Sequence, residues 1–367
     1  LEDVFGLDGS TNSYQELAET DCVFILGADV PSYYAMLAVP VQQAVSKGAK
    51  LLLAAADGWN GFNMLASQRA VVEDDTRFLK EMLKAAIDMG ANPENVMGWE
   101  ELNASLSEIT PSAEAISFAK AYKDAPTAMI MLDRERVSTD TARLLADLAV
   151  VCGQIGRPNT GLIQMLQHNN TQSIAYQDIQ RKMPHLAQDV AEGKIKGLVL
   201  VEQFVDAEIA NALEYSVLLD TMPGPAFSHS NVILPMPGYG AYNGTYVSAE
   251  GRIQPVHQIY APPAGKDGWQ VLDDLIAASG GPGLGTLEQV QKELAERFPL
   301  YRPYWESGAV FIADGPVRYQ QRYAHPDGKA HLVPAAAKAP LFGTMCFADV
   351  PLVTWFGQLV DEGLLQY

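Results

Sequence analysis

Asp21-Cys-Val-Phe-Ile-Leu-Gly-Ala28 and Lys50-Leu-Leu-Leu-Ala-Ala-Ala56, with the segment between them, decide how this chain folds. Each is a short apolar run of the length of a buried strand, without the polar alternation of a half-exposed one. Pro31 suits the first turn of a helix, which carries Ala35, Leu37, Ala38, Val41 and Ala44 on toward Gly48. Strand, helix, glycine and strand within about 35 residues make a βαβ unit, hence a parallel sheet with a right-handed crossover.

The alternation continues outward. Acidic helices are predicted over 75–89 and 112–122, the second behind a Thr110-Pro-Ser-Ala-Glu114 start. A strand over 127–132 precedes a helix over 139–152, where Ala142, Leu145, Leu148 and Ala149 fall at helical spacing. Strands over 197–201, 216–220 and 231–235 flank a short helix over 206–213. The expected fold class is α/β, with two doubly wound, mostly parallel-sheet lobes at 1–125 and 126–280. The remainder, 281–367, is rich in Pro, Gly and aromatics and reads as an irregular docking tail; Trp305, Phe311, Tyr319, Tyr323, Phe342, Trp355 and Phe356 serve either docking or ordinary core burial.

Composition excludes several classes. A length of 367 residues suits two or three domains, and 48% hydrophobic with 19% charged residues excludes wholesale disorder. The balance of 25 Lys and Arg against 44 Asp and Glu gives −19, which argues against nucleic acid as a partner because phosphate binding needs clustered cations. Three Cys, at 22, 152 and 346, form no CxxC and suit a reducing compartment. The weakly charged stretch 22–45 is interrupted by Asp29, Pro31 and Pro40, so no membrane insertion is expected. Residue 1 is Leu with no signal-like run behind it, and the chain is expected to be part of a longer or processed product.

Few motifs carry chemistry. Gly281-Pro-Gly-Leu-Gly285 follows a predicted helix rather than a strand, so it reads as a turn, not a phosphate loop. Leu26-Gly27-Ala28-Asp29 does sit after a strand and before a helix, where an α/β sheet binds ligands, yet Asp29 would repel a phosphate. The six His contain no HxxxH pair, no G-x-S-x-G elbow is present, and neither a catalytic residue nor a metal site is expected. Asp133-Arg-Glu-Arg136 reads as a solvated charge cluster at a strand end.

Several blocks in order resemble the molybdopterin oxidoreductase family: 17–29 with Pro40 and 48–52; Val150-Val-Cys-Gly-Gln-Ile-Gly-Arg-Pro-Asn-Thr-Gly161; Gln167-His-Asn-Asn-Thr-Gln172; 193–200; Val232-Ile-Leu-Pro235; and Asn243 through Gln254 with Trp269. The Glu250-Gly-Arg252 form is similar to the non-catalytic branch, the C-terminal portion of the large iron–sulfur subunit of NADH–quinone oxidoreductase, respiratory complex I. The resemblance implies a structural lobe supporting electron transfer from NADH to quinone. Its partners would be other peripheral-arm subunits, at the inner, cytoplasmic face of the membrane. The iron–sulfur clusters would lie N-terminal to the part seen here. The alternative it implies is a cofactor-binding fragment of a molybdopterin-guanine-dinucleotide enzyme, formate dehydrogenase-like. A free-standing α/β binding protein using the Gly27 crevice is a third.

The departures from the family pattern point away from a bound cofactor. Where cofactor-binding members carry "GsNP" and "DPR", this chain has Gly27-Ala-Asp-Val30 and Ala55-Ala-Asp57-Gly58, and an Arg that could meet phosphate is missing. At the "GeNP" turn it reads Val201-Glu202-Gln203-Phe204. Molybdopterin is therefore not expected here. The residues left as vestigial crevice candidates are Gly27, Asp29, Glu202, Asp220, Glu250 and Arg252, the last two also explained by an ion pair pinning a hairpin after Asn243-Gly244.

Overall fold

The computed structural model describes residues 1–56, 58, 60–177, 185–202, 207–222, 224–312 and 315–334. It divides into two compact units. The first takes in Leu1–Tyr176, Val247–Ile253 and the described residues from Glu306 onward; the second takes in the described residues of Gln177–Tyr246 and Gln254–Trp305.

The first unit is built on five parallel strands: β1 (Cys22–Leu26), β2 (Lys50–Ala55), β3 (Gln68–Val71), β4 (Ala128–Asp133) and β5 (Gly161–Met165). Their spatial order is β3-β2-β1-β4-β5. Cys22 pairs in register with Lys50 on one side and Ala128 on the other. Successive side chains point to opposite faces, and both faces are covered. Phe24, Leu26, Leu52, Ile130, Leu132 and Leu162 pack under helices Asp75–Asp88, Ala113–Lys123 and Thr139–Val151. Val23, Ile25, Leu51, Leu53, Met131 and Ile163 face Val41 and Ala38 of helix Ala35–Ser46. That double coverage is why these strands read as unbroken apolar runs.

The predicted helix after Pro31 forms in two pieces, Val30–Tyr33 and Ala35–Ser46, broken at Tyr34 (φ −135°, ψ 51°), whose ring is 8% exposed. Ser112 and Ser138 cap their helices by accepting from Ala115 N and Thr141 N.

Two expectations change. The boundary at 125 falls inside a sheet, because β4 pairs directly with β1. Part of the expected docking tail, around Phe311, Tyr319 and Tyr323, is core material, whereas Trp305 is 36% exposed. Tyr319 is 8% exposed and stacks on Phe5 at 5.3 Å, and Tyr323 lies 6.2 Å from the same ring. Ala324 N donates to Phe5 O, and Leu332 N to Met97 O, beside a short parallel pairing of Val96–Met97 with Ala330–His331. Phe342, Trp355, Phe356 and Cys346 lie outside the described residues.

The second unit carries β6 (Gly197–Val201), β7 (Tyr215–Asp220) and β8 (Val232–Pro235), parallel and in that order. Helix Ala207–Ala212 lies between β6 and β7 in the chain, and helices Gly268–Ala278 and Leu287–Arg297 follow. Gly281–Gly285 is the loop joining those two helices, as its position after a helix predicts. Among the described residues no helix is long and apolar enough to cross a membrane.

Candidate functional site

The strand order of the first unit places β1 beside β4 while the chain winds outward in opposite directions from them. Such a switch point opens a crevice beyond the carboxyl ends of the two strands. Gly27 ends β1 at φ +69°, its amide donating to Ala54 O at 2.8 Å. A Cβ there would lie 3.9 Å from Asp75 Oδ2, so a carboxylate already faces this turn.

Asp29 is spent internally: Oδ1 accepts from Gly61 N at 3.0 Å, and Oδ2 from the Ser32 hydroxyl at 2.6 Å. At the end of β4, Asp133 is fully buried rather than solvated, which corrects the reading of the 133–136 cluster. Its Oδ1 accepts from Glu135 N, and its Oδ2 lies 3.4 Å from Arg136 Nε. The Arg136 guanidinium sits 3.9 Å over the Tyr33 ring. Burial pushes the Asp133 carboxyl above its usual range; burial, then neighbouring Asp74, does the same to Asp75.

These residues do not fit a pyrophosphate. Carboxylates line the turn, and Arg136 is engaged by Asp133 and Tyr33. Asp57, of the degenerate "DPR" segment, lies outside the described residues.

The second unit has a different edge. Glu202 leaves β6 at φ +48°, its amide donating to Leu219 O at 2.8 Å. Asp220 ends β7, its Oδ1 accepting from Thr221 N at 2.7 Å and Met222 N at 3.3 Å. Burial raises the Glu202 carboxyl, and the charge of Asp220 raises it further. Two carboxyl groups, one of them anchored by backbone amides, thus share this strand edge. A carboxylate at the end of a second β-strand is also where dinucleotide folds hold ribose hydroxyls. Asp220, ending the second strand of this unit, stands at the corresponding place. Gln203 and Phe204 lie outside the described residues.

Glu250 and Arg252 occupy the turn between strands Gly244–Val247 and Ile253–Val256. Glu250 Oε1 accepts from Arg252 Nε at 2.8 Å, Oε2 accepts from Tyr14 N at 2.7 Å, and the guanidinium lies 4.4 Å over Phe311. Of the six predicted residues, the structure joins Glu202 with Asp220 and Glu250 with Arg252, while Asp29 is bonded to neither pair. Sequence reasoning missed Asp75 and the burial of Asp133; the strand pairing of β4 with β1 was the missing signal.

Among the described residues no three His, Cys, Asp or Glu gather where a metal ion could be held. Burial pushes the Cys22 and Cys152 thiols up to about 12, so neither is a thiolate at neutral pH.

A doubly wound parallel sheet with crevices at its strand ends defines an α/β protein of the dinucleotide-binding architecture. The sequence profile of the family described as molybdopterin oxidoreductase matches residues 4–278, well over half the chain, and the chain belongs to that family. It is 22% identical over 421 aligned positions to the NADPH-Fe(3+) oxidoreductase subunit alpha of Geobacter sulfurreducens, covering 97% of this chain and 49% of that protein. It is 20% identical to the F420-dependent formate dehydrogenase 1 subunit alpha of Methanococcus maripaludis, covering 98% and 64%. Among solved structures it resembles acetylene hydratase from Pelobacter acetylenicus, with TM-score 0.67, 13% identity, and coverage of 90% of this chain and 57% of that one. The chain thus spans about half to two thirds of the length of these curated relatives. Their names are those of formate dehydrogenase and NADPH-Fe(3+) oxidoreductase subunits, whereas Glu250-Gly-Arg252 pointed toward the NADH–quinone branch.

Proposed function

We propose that this chain is part of a formate dehydrogenase-like oxidoreductase of the molybdopterin family, and that its second unit holds the nucleoside end of the pterin–guanine dinucleotide. The Glu202–Asp220 pair carries this reading, supported by the relatives above. Two backbone amides fix the Asp220 carboxylate as an acceptor for nucleoside hydroxyl or N–H groups. Glu202, beside it, adds a second carboxyl acceptor for those groups. The pterin-bound metal, when present, supplies the two-electron chemistry; the residues described here bind and orient. Substrate and electron acceptor belong to the complete protein.

Calorimetric titration with guanosine monophosphate tests this. Saturable binding is expected, lost in Asp220→Ala and weakened in Glu202→Gln. No binding by the unmutated chain, or unchanged binding by a folded Asp220→Ala, would overturn it.

A second reading is favoured by the carboxylates facing Gly27. In it the chain is a lobe without cofactor in NADH–quinone oxidoreductase, docked to peripheral-arm subunits on the cytoplasmic side. Stoichiometric molybdenum or tungsten in the purified protein would exclude it.

A further inference from the structure

The first unit holds a cavity of about 450 Å³, a volume within the range of small-molecule sites. Its walls come from the loop after helix Asp75–Asp88, the ends of helices Ala113–Lys123 and Thr139–Val151, and Tyr323 of the late segment. Helices that cross over between parallel strands end where the next strand begins. The cavity therefore lies at the opposite edge of the sheet from the Gly27 turn.

Two opposite charges line it. Lys123 Nζ has only a loose contact, 3.7 Å to Asp124 Oδ1, and the other oxygen of that carboxylate is taken by Lys120 at 2.7 Å. Among the described residues, Glu94 has no ion pair at all. Lys123 and Glu94 share one cavity without pairing with each other, so more than 4 Å separates ammonium from carboxylate. A ligand with a single charge would meet one attraction and one repulsion here, whereas a ligand carrying both signs satisfies each.

The rest of the wall narrows the class. Val150, Val151 and Ile155 contribute apolar surface. Burial pushes the Cys152 thiol up to about 12, so it stays neutral and adds no charge. Burial alone pushes the Tyr323 phenol up to about 12, and among the described residues its hydroxyl has no hydrogen-bond partner, which leaves a donor on the cavity. Helix Thr139–Val151 ends here without a basic residue in its last turn. Its carboxyl-end dipole favours a cationic group and is met in part by Arg157 Nη2, 3.0 Å from Gly153 O.

We propose that this cavity binds a free α-amino acid with an aliphatic side chain. The ligand carboxylate meets Lys123 and the Tyr323 hydroxyl, its ammonium meets Glu94 and the helix end, and its side chain lies against Val150, Val151 and Ile155. Because Tyr323 belongs to the segment that closes the first unit, an occupied cavity ties that segment to the helix ends. The site lies wholly in the first unit and does not depend on the nucleoside site of the second.

Calorimetric titration of the full chain with L-leucine tests it, beside two truncated forms of that ligand: isocaproate, which lacks the ammonium, and isopentylamine, which lacks the carboxylate. Saturable binding of L-leucine is expected, with each truncated form weaker by roughly 10-fold or more. Lys123→Met and Glu94→Gln should each weaken leucine by about 10-fold. Glu94 is exposed on a loop, so its variant remains informative if the lysine variant fails to fold. Methyl NMR should show leucine-dependent shifts at Val150, Val151 and Ile155. No saturable binding of leucine, a truncated form binding as tightly as leucine, or leucine affinity unchanged in Glu94→Gln would overturn the proposal.

Discussion

Glu250 holds Arg252 with one carboxylate oxygen at 2.8 Å and the backbone amide of Tyr14 with the other at 2.7 Å. Residues 236 positions apart are therefore tied through one side chain that is 6% exposed. Replacement by Ala orphans a buried amide and a guanidinium together, and should cost roughly 2–4 kcal/mol in urea unfolding. Glu250→Gln keeps an acceptor for Tyr14 and should lose about half as much. Equal losses would mean that the charge, not the amide contact, dominates.

Gly6 and Gly48 both have positive φ, but only one has a neighbour where a Cβ would stand. At Gly6 the Cβ would collide with His325 N and stand 2.6 Å from Ala324 C; at Gly48 it would meet nothing within 4 Å. Gly48→Ala should cost about 1–2 kcal/mol from backbone strain alone. Gly6→Ala should cost more, roughly 2–4 kcal/mol, since two backbones must part. Denaturant midpoints of the two variants, measured side by side, check the ranking.

Phe24 is fully buried in β1 and meets Phe118 and Tyr122 edge-on at 6.1 and 6.3 Å. Phe24→Ala removes both contacts and leaves a cavity between sheet and helix, for an expected loss of about 3–5 kcal/mol. Phe24→Leu should lose markedly less in the same unfolding experiment.

Asp147 is fully buried, and burial raises its carboxyl well above the usual 3.8, opposed by the Val333 amide. A carboxyl whose folded pKa exceeds its unfolded one takes up a proton on folding. Its penalty is absent at low pH and grows as pH rises from about 3.8 toward the folded value. Asp147→Asn should therefore stabilise the protein at neutral pH, with the gain fading toward the acid end. A gain independent of pH, in unfolding curves across that range, would contradict this origin.

Local pattern made most elements legible. The apolar runs at 22–26 and 50–55 became β1 and β2, and the start at 110–114 opened the helix it announced, capped by Ser112. What the sequence left open was pairing. The strand at 128–133 was visible as a strand, but nothing local says that it lies against β1, and the domain boundary was misplaced for that reason. The same holds for Tyr319, Tyr323 and Arg318: an aromatic-rich segment reads alike whether it coats a partner or completes a core. The burial of Asp133 was hidden because Asp-Arg-Glu-Arg looks solvated until the strand before it is placed mid-sheet. At Glu250 and Arg252 two charges one residue apart in a turn were enough to expect the ion pair.

The first unit is closed by chain that leaves it at Tyr176 and returns for good only near Glu306. Arg318 N bonds Thr11 O, and Ala324 N bonds Phe5 O, so the earliest residues wait for some of the latest. At cellular synthesis rates the intervening stretch of roughly 130 residues takes about 6–26 s to emerge. Throughout that interval the Phe5 ring has no Tyr319 to cover it and the first sheet lacks its final edge of packing. The order of translation thus sets a period in which the first unit is incomplete, and stalling the ribosome before residue 318 would hold it there.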